Sequence, residues 1–319
     1  MCEKYIINST LVFFHCSFKK RPHPWDERKR FMSNYVIFTD SACDIKPATL
    51  KEWGVYYKAL SLHFDGDETL YSNDDIKPLE FYDRMRKGGV AKTAAVNTED
   101  FASAFDELLA AGNDILYLGF SSGLSTTYNS ARIAALELKE KYPERKIMVV
   151  DTLAASAGQG LIVYLTVKKK EEGATIEEAA AYAEDIKFKI SIWFTVDDLV
   201  YLKRGGRVSA AAAFFGNMLG IKPVLHMDNA GHLVPVLKVR GRKVSVETLA
   251  KKYEELATDT KNNTIFISHA DCEADAKRLE AIFSEKYGAK VEIITDVGPV
   301  IGAHSGPGTL ALFFVGKER

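Results

Sequence analysis

Two kinds of apolar pattern alternate along this chain. Short, nearly continuous apolar runs rich in β-branched residues fall at 35–39, 114–120, 146–150, 264–268 and 291–295, and they predict buried strands. Between them the spacing is helical. Residues 99–111 place Phe101, Phe105, Leu108 and Leu109 on one face, and residues 125–142 put Ile133, Leu136 and Leu138 on the side expected to be buried. Residues 176–188, 246–257 and 274–287 repeat that spacing. Such alternation predicts an α/β fold with mostly parallel sheets covered by helices.

The pattern changes near residue 188. A strand over 190–196 is followed by Lys203-Arg204-Gly205-Gly206-Arg207, a small-residue helix from Ser209, and an alternating stretch at 232–239 that contains Pro235. Proline cannot donate to a ladder, so that stretch predicts an edge strand. The expected organisation is an N-terminal α/β domain over 34–188 and a C-terminal α/β domain over 189–319. Residues 1–31 read as an extension ahead of Met32. Their basic run follows the apolar part, the reverse of a secretory signal, and the organised pattern begins after Met32.

Composition narrows the classes. Of 319 residues, 47% are apolar and 27% charged, a globular balance, and a net charge of −1 gives no pull toward nucleic acid. Cys2, Cys16, Cys43 and Cys272 form no metal-binding spacing. Reduced thiols, a cytoplasmic setting and no structural zinc are expected. No stretch has the roughly 18 apolar residues of a membrane span.

Candidate chemistry gathers where strands end. Gly119-Phe120-Ser121-Ser122-Gly123-Leu124-Ser125 lies between a strand and a helix, where open parallel sheets bind ligands. Its glycines allow close approach, its serines supply hydroxyls, and the helix start offers N–H groups to an anion. The same residues match G-x-S-x-G, the strand–turn–helix elbow of α/β-hydrolases, and Asp296 followed by His304 gives the matching acid–histidine order. From these residues alone, an anion cradle and an esterase nucleophile at Ser121 both stand. Asp40 and Asp44 flank a turn after the first strand; Asp44 suits helix capping, and Asp40 suits the organisation of neighbouring loops. Arg204 and Arg207, with Arg240 and Arg242 further along, could bind phosphate or an acidic partner. His304 sits in the densest glycine region, which lacks the lysine and spacing of a nucleotide loop.

Taken in order, Phe38-Thr-Asp-Ser-Ala-Cys-Asp, Lys92-Thr93, Ser121-Ser-Gly-Leu-Ser-Thr-Thr-Tyr-Asn-Ser-Ala, Val150-Asp-Thr, Leu202-Lys-Arg-Gly-Gly-Arg-Val and Gly298-Pro-Val-Ile-Gly-Ala-His-Ser-Gly-Pro-Gly-Thr resemble the DegV family over residues 34–315. The resemblance implies two α/β domains with a lipid slot between them, holding one long-chain fatty acid with its carboxylate inward. It implies a non-enzymatic, substrate-carrying subunit, with no cofactor, that presents the acid to an ATP-dependent fatty acid kinase for acyl-phosphate formation and phospholipid synthesis. Lipid exchange would bring transient membrane contact. Carried over, Thr93, a serine among Ser121, Ser122 and Ser125, and His304 hold the carboxylate, while Arg204, Arg207 and Arg240 serve the kinase encounter. The chain departs from the family at Ala94-Ala95, where relatives carry polar residues after the threonine.

Overall fold

The computed structural model describes residues 34–208 and 220–319. The small-residue helix expected from Ser209 and the extension over 1–31 lie outside these residues. In chain order the first elements are β1 (Tyr35–Asp40), α1 (Pro47–Glu52), β2 (Val55–Lys58), β3 (Ser61–Phe64), β4 (Tyr71–Ser72), α2 (Pro78–Arg86), β5 (Ala91–Ala94) and α3 (Thr98–Ala110). There follow β6 (Asp114–Gly119), α4 (Thr127–Lys141), β7 (Ile147–Asp151), α5 (Ala157–Glu171), α6 (Ile176–Ile186), β8 (Ile190–Thr195) and α7 (Val200–Gly205). The last are β9 (Ile221–Met227), β10 (Leu233–Arg240), α8 (Arg242–Leu256), β11 (Ile265–His269), α9 (Glu273–Ile282), β12 (Val291–Asp296), α10 (Pro299–Ser305) and β13 (Leu310–Val315).

The α/β expectation holds. Strands β2-β1-β6-β7 form a fully parallel sheet. The parallel pattern does not extend to the six-stranded sheet β10-β9-β8-β13-β11-β12, where every pairing except β11–β12 is antiparallel. Consecutive strands β8, β9 and β10 pair antiparallel, and β13 adds two more antiparallel pairings. The chain returns through α10 and inserts this strand between β8 and β11, antiparallel to both. A third, antiparallel sheet, β4-β3-β5, carries Thr93. β10 is the edge strand that Pro235 predicted, with a register shift between Pro235 and Leu237.

Side chains on the six-stranded sheet separate by the period of two. Trp193, Leu310, Leu312, Phe314, Ile265 and Ile267 join one apolar cluster with residues of α8 and α9. Ile192, Phe194, Leu225, Met227, Ala311 and Phe313 face the other way, into the cluster shared with the four-stranded sheet. On α4 the buried stripe is Thr127, Ala131, Ala134, Ala135 and Leu138. Leu136, expected inside, is exposed. The inward face of this helix is lined mainly by alanines, so the larger side chain falls on the outer face.

Candidate functional site

A cavity of about 480 Å³ opens beside the inner face of the six-stranded sheet. Ile192, Phe194, Met227, Ala311 and Phe313 supply that wall, and Leu60, Phe120 and Leu124 come from the first part of the chain. The size falls within the roughly 300–1,000 Å³ of small-molecule sites. Its lining is mainly apolar, and hydroxyls dominate the polar part.

Of the residues singled out in the sequence, Thr93, Ser122, Ser125, His304 and Arg207 line this one cavity. His304 Nε2 lies 2.8 Å from Thr93 Oγ1. Its other nitrogen, Nδ1, is buried and has no hydrogen-bond partner. A Cβ on Gly205 would come within 2.2 Å of that atom, so glycine is needed for α7 to pack against the ring. Burial, and then the nearby Arg207 guanidinium, push the His304 imidazolium pKa down to about 4. The ring is therefore neutral near pH 7. With its single proton on Nε2 it donates to Thr93 Oγ1 and leaves the threonine O–H free to point at an anion.

α10, which carries His304, is held at its start by residues from the first part of the chain. Gly298 N donates to Asp44 Oδ1 at 3.0 Å, and Val300 N donates to Asn73 Oδ1 at 2.9 Å. Tyr82 O–H donates to the Val297 carbonyl at 2.6 Å. Asp40 organises the next loop, as its place at the strand end suggested, by accepting from Ala42 N, Phe120 N and the Tyr117 hydroxyl.

The Phe120–Ser125 loop is built differently from an amide cradle. Asp40 takes the N–H of Phe120, Asp151 takes that of Ser122, and Ser121 Oγ takes that of Gly123. Leu124 N and Ser125 N both donate to the Ser121 carbonyl. Side-chain hydroxyls are what remain for a ligand. Ser125 Oγ accepts from Thr127 N at 3.2 Å and lies 2.9 Å from Thr127 Oγ1. When Thr127 is the donor in that pair, the Ser125 proton is left to the cavity.

Ser121 does not line the cavity. It is 0% exposed, and its hydroxyl donates to the Gly231 carbonyl at 2.9 Å, stapling the β9–β10 turn. Only glycine fits at 231: φ is +77°, and a Cβ would sit 2.1 Å from Ser121 Oγ. The esterase geometry is likewise absent. Ser121 is not among the positive-φ residues of the described chain, as an elbow nucleophile is, and its hydroxyl is committed to a backbone carbonyl. Asp296 stands beside His269 in the β11–β12 register, while His304 pairs with Thr93. Among the basic residues, Arg207 Nε donates to the Leu124 carbonyl at 3.3 Å and holds the rim. Arg204 instead leans over the Tyr201 ring, and Arg240 is exposed at the end of β10; neither lines the cavity. Their spacing in sequence gave no information about that divergence.

Thr126, Ser156, Ser268, Ser305 and Thr309 also line the cavity and were not anticipated. Ser156 and Ser268 carry no motif of their own, and only the topology brings them to one wall.

A family model described as "Uncharacterised protein, DegV family" matches residues 34–317. The chain belongs to the DegV family. A DegV domain-containing protein of Clostridium perfringens is 44% identical over 289 residues, covering 90% of this chain and 99% of that protein. Among solved structures, a fatty-acid-binding DegV family protein from Thermus thermophilus matches with a TM-score of 0.80 at 31% identity, covering 89% of this chain and 99% of that one. A stearic acid-binding protein from Eubacterium ventriosum matches with a TM-score of 0.79 at 27% identity, over 89% and 98% of the two chains. The cavity described above thus lies in a DegV fold whose relatives include fatty-acid-binding proteins.

Proposed function

We propose that this chain holds one long-chain fatty acid in the cavity, with its carboxylate against Thr93, Ser125 and His304. The observation that carries the reading is the pairing of Thr93 Oγ1 with a neutral His304 at the polar part of an apolar cavity. Each methylene buried contributes roughly 0.8 kcal/mol before the costs of binding. The head group needs donors that do not themselves have to be stripped of charge, and two hydroxyls supply them. Ser122 and Thr126, exposed at the mouth, extend the same row of hydroxyls. Ala94-Ala95 then follow a threonine whose support comes from His304, so polar neighbours in the strand are not required.

The same reading makes the protein a carrier that presents the carboxylate to an ATP-dependent fatty acid kinase. Arg207 is exposed at the rim and bonded to the loop that bears Ser125, which suits contact with a phosphoryl donor. Arg204 and Arg240 belong to the outer encounter surface in this account. Residues 34–188 and 189–319 act as the two domains that close on the acyl chain. Mass spectrometry of the gently purified, then denatured protein tests the central claim. One acyl chain per protein is expected; no co-purified acid, together with no uptake of added oleate, overturns it.

A further inference from the structure

Beyond Thr93, Ser125 and His304, the cavity wall carries a second set of hydroxyls. Ser268 on β11 stands opposite Ala311 in a cross-sheet row that is otherwise apolar, Leu225–Phe194–Ala311. Its Oγ is 3.0 Å from Ser156 Oγ, which is 2.5 Å from Asp44 Oδ2. Ser156 has φ 54° and ψ −150°, a backbone conformation that glycine adopts easily and serine does not. A side chain is kept there at a cost in strain, and the Asp44 hydrogen bond offsets it. On α10, Ser305 is 6% exposed, and its hydroxyl has no hydrogen-bond partner. An unpaired buried hydroxyl is unfavourable unless something else reaches it.

The direction of the chain of hydroxyls follows from Asp44. Burial, with the nearby Asp296 and Asp40, pushes its carboxyl up to about 8 against the hydrogen bonds from Ser156 and Gly298. The Ser156 hydroxyl donates to Asp44 Oδ2. With its one proton given to Asp44, Ser156 Oγ accepts from Ser268, and Ser268 presents an acceptor oxygen to the cavity. An acyl chain of methylenes alone covers both serines and leaves the Ser305 hydroxyl without a partner.

We infer that the cavity takes an acyl chain carrying a second oxygen function, a hydroxyl group, which Ser268 and Ser305 hydrogen-bond. This inference rests on the fatty-acid reading and sharpens its substrate class. A chain hydroxyl donates to Ser268 Oγ and accepts from the unpaired Ser305 hydroxyl.

The test is displacement of a fluorescent fatty acid from the full chain by stearate and by a positional set of monohydroxystearates. At least one isomer with an internal hydroxyl should displace the probe at about tenfold lower concentration than stearate, the ratio that one satisfied hydrogen bond gives. Ser268→Ala with Ser305→Ala should reduce that ratio to one or below, with thermal unfolding reporting whether the variant folds. The two single variants serve if the double variant does not fold, each lowering the ratio part-way. Stearate displacing the probe as well as every hydroxylated isomer overturns the inference and leaves fatty-acid binding standing. So does a preference that survives the serine substitutions. Failure of stearate and all isomers to displace the probe overturns both readings.

Discussion

His304 Nε2 and Thr93 Oγ1, separated by 211 positions in the sequence, meet at 2.8 Å. The contact joins α10 to the small antiparallel sheet at a hydroxyl that lines the cavity. Thr93→Val keeps the shape and removes that hydroxyl. A hydrogen bond to a charged acceptor is worth about 1.5–3 kcal/mol, so fatty-acid affinity should fall by roughly ten- to a hundredfold. Thr93→Ser should restore most of it. Equilibrium binding of a fluorescent fatty acid measures both, and unchanged affinity in the valine variant would falsify the role given to Thr93.

His304 also makes a prediction about acid. Its native pKa, about 4, lies below the ordinary value of 6.5, so between those values the unfolded chain binds a proton that the native state excludes. Stability should therefore decline as pH drops from about 6.5 toward 4, with this residue contributing. His304→Gln keeps a donor near Thr93 and cannot titrate. Urea unfolding at pH 7 and pH 4.5 should show a smaller difference between the two conditions for the variant than for the natural chain.

Much of the fold could be read from the apolar pattern. The strands β1, β6, β7, β8, β11 and β12 fall within a residue or so of expectation, because each is a compact apolar run, but β7 and β12 stand at sheet edges and are only partly buried. β2, β3, β4 and β5, of two to four residues each, and β9 and β13 lie outside the runs that predict strands. Thr93, Ser122, Ser125, Arg207 and His304 stand in ordered motifs and converge. Ser121 was indistinguishable from its neighbour by sequence, since adjacent residues in a turn point in different directions. The commitment of loop N–H groups to Asp40 and Asp151 was equally invisible, because both acids approach from other strands.

Ser121→Ala should affect folding first. It strands the Gly231 carbonyl and the Gly123 N–H, at a cost of about 1–3 kcal/mol in unfolding free energy. Chemical denaturation measures that loss. The native protein, with this hydroxyl fully buried, should resist covalent labelling by a fluorophosphonate.

The wall is expected to set the length of acyl chain accepted. Ala311 is the small residue in a row that includes Phe194 and Leu225, so Ala311→Phe places a ring inside the cavity. Stearate affinity should drop by roughly tenfold or more, one lost or displaced stretch of methylenes at about 0.8 kcal/mol each, while decanoate is less affected. A parallel loss for both acids would locate the ring away from the acyl tail.

The Phe120–Gly123 turn has one more consequence. Its N–H groups are engaged by Asp40, Asp151 and Ser121 before any ligand arrives, so loading has little backbone left to order. The heat capacity of association then reports only dehydration of the tail, and in a calorimeter it should grow more negative by a constant step for each methylene added to the acid.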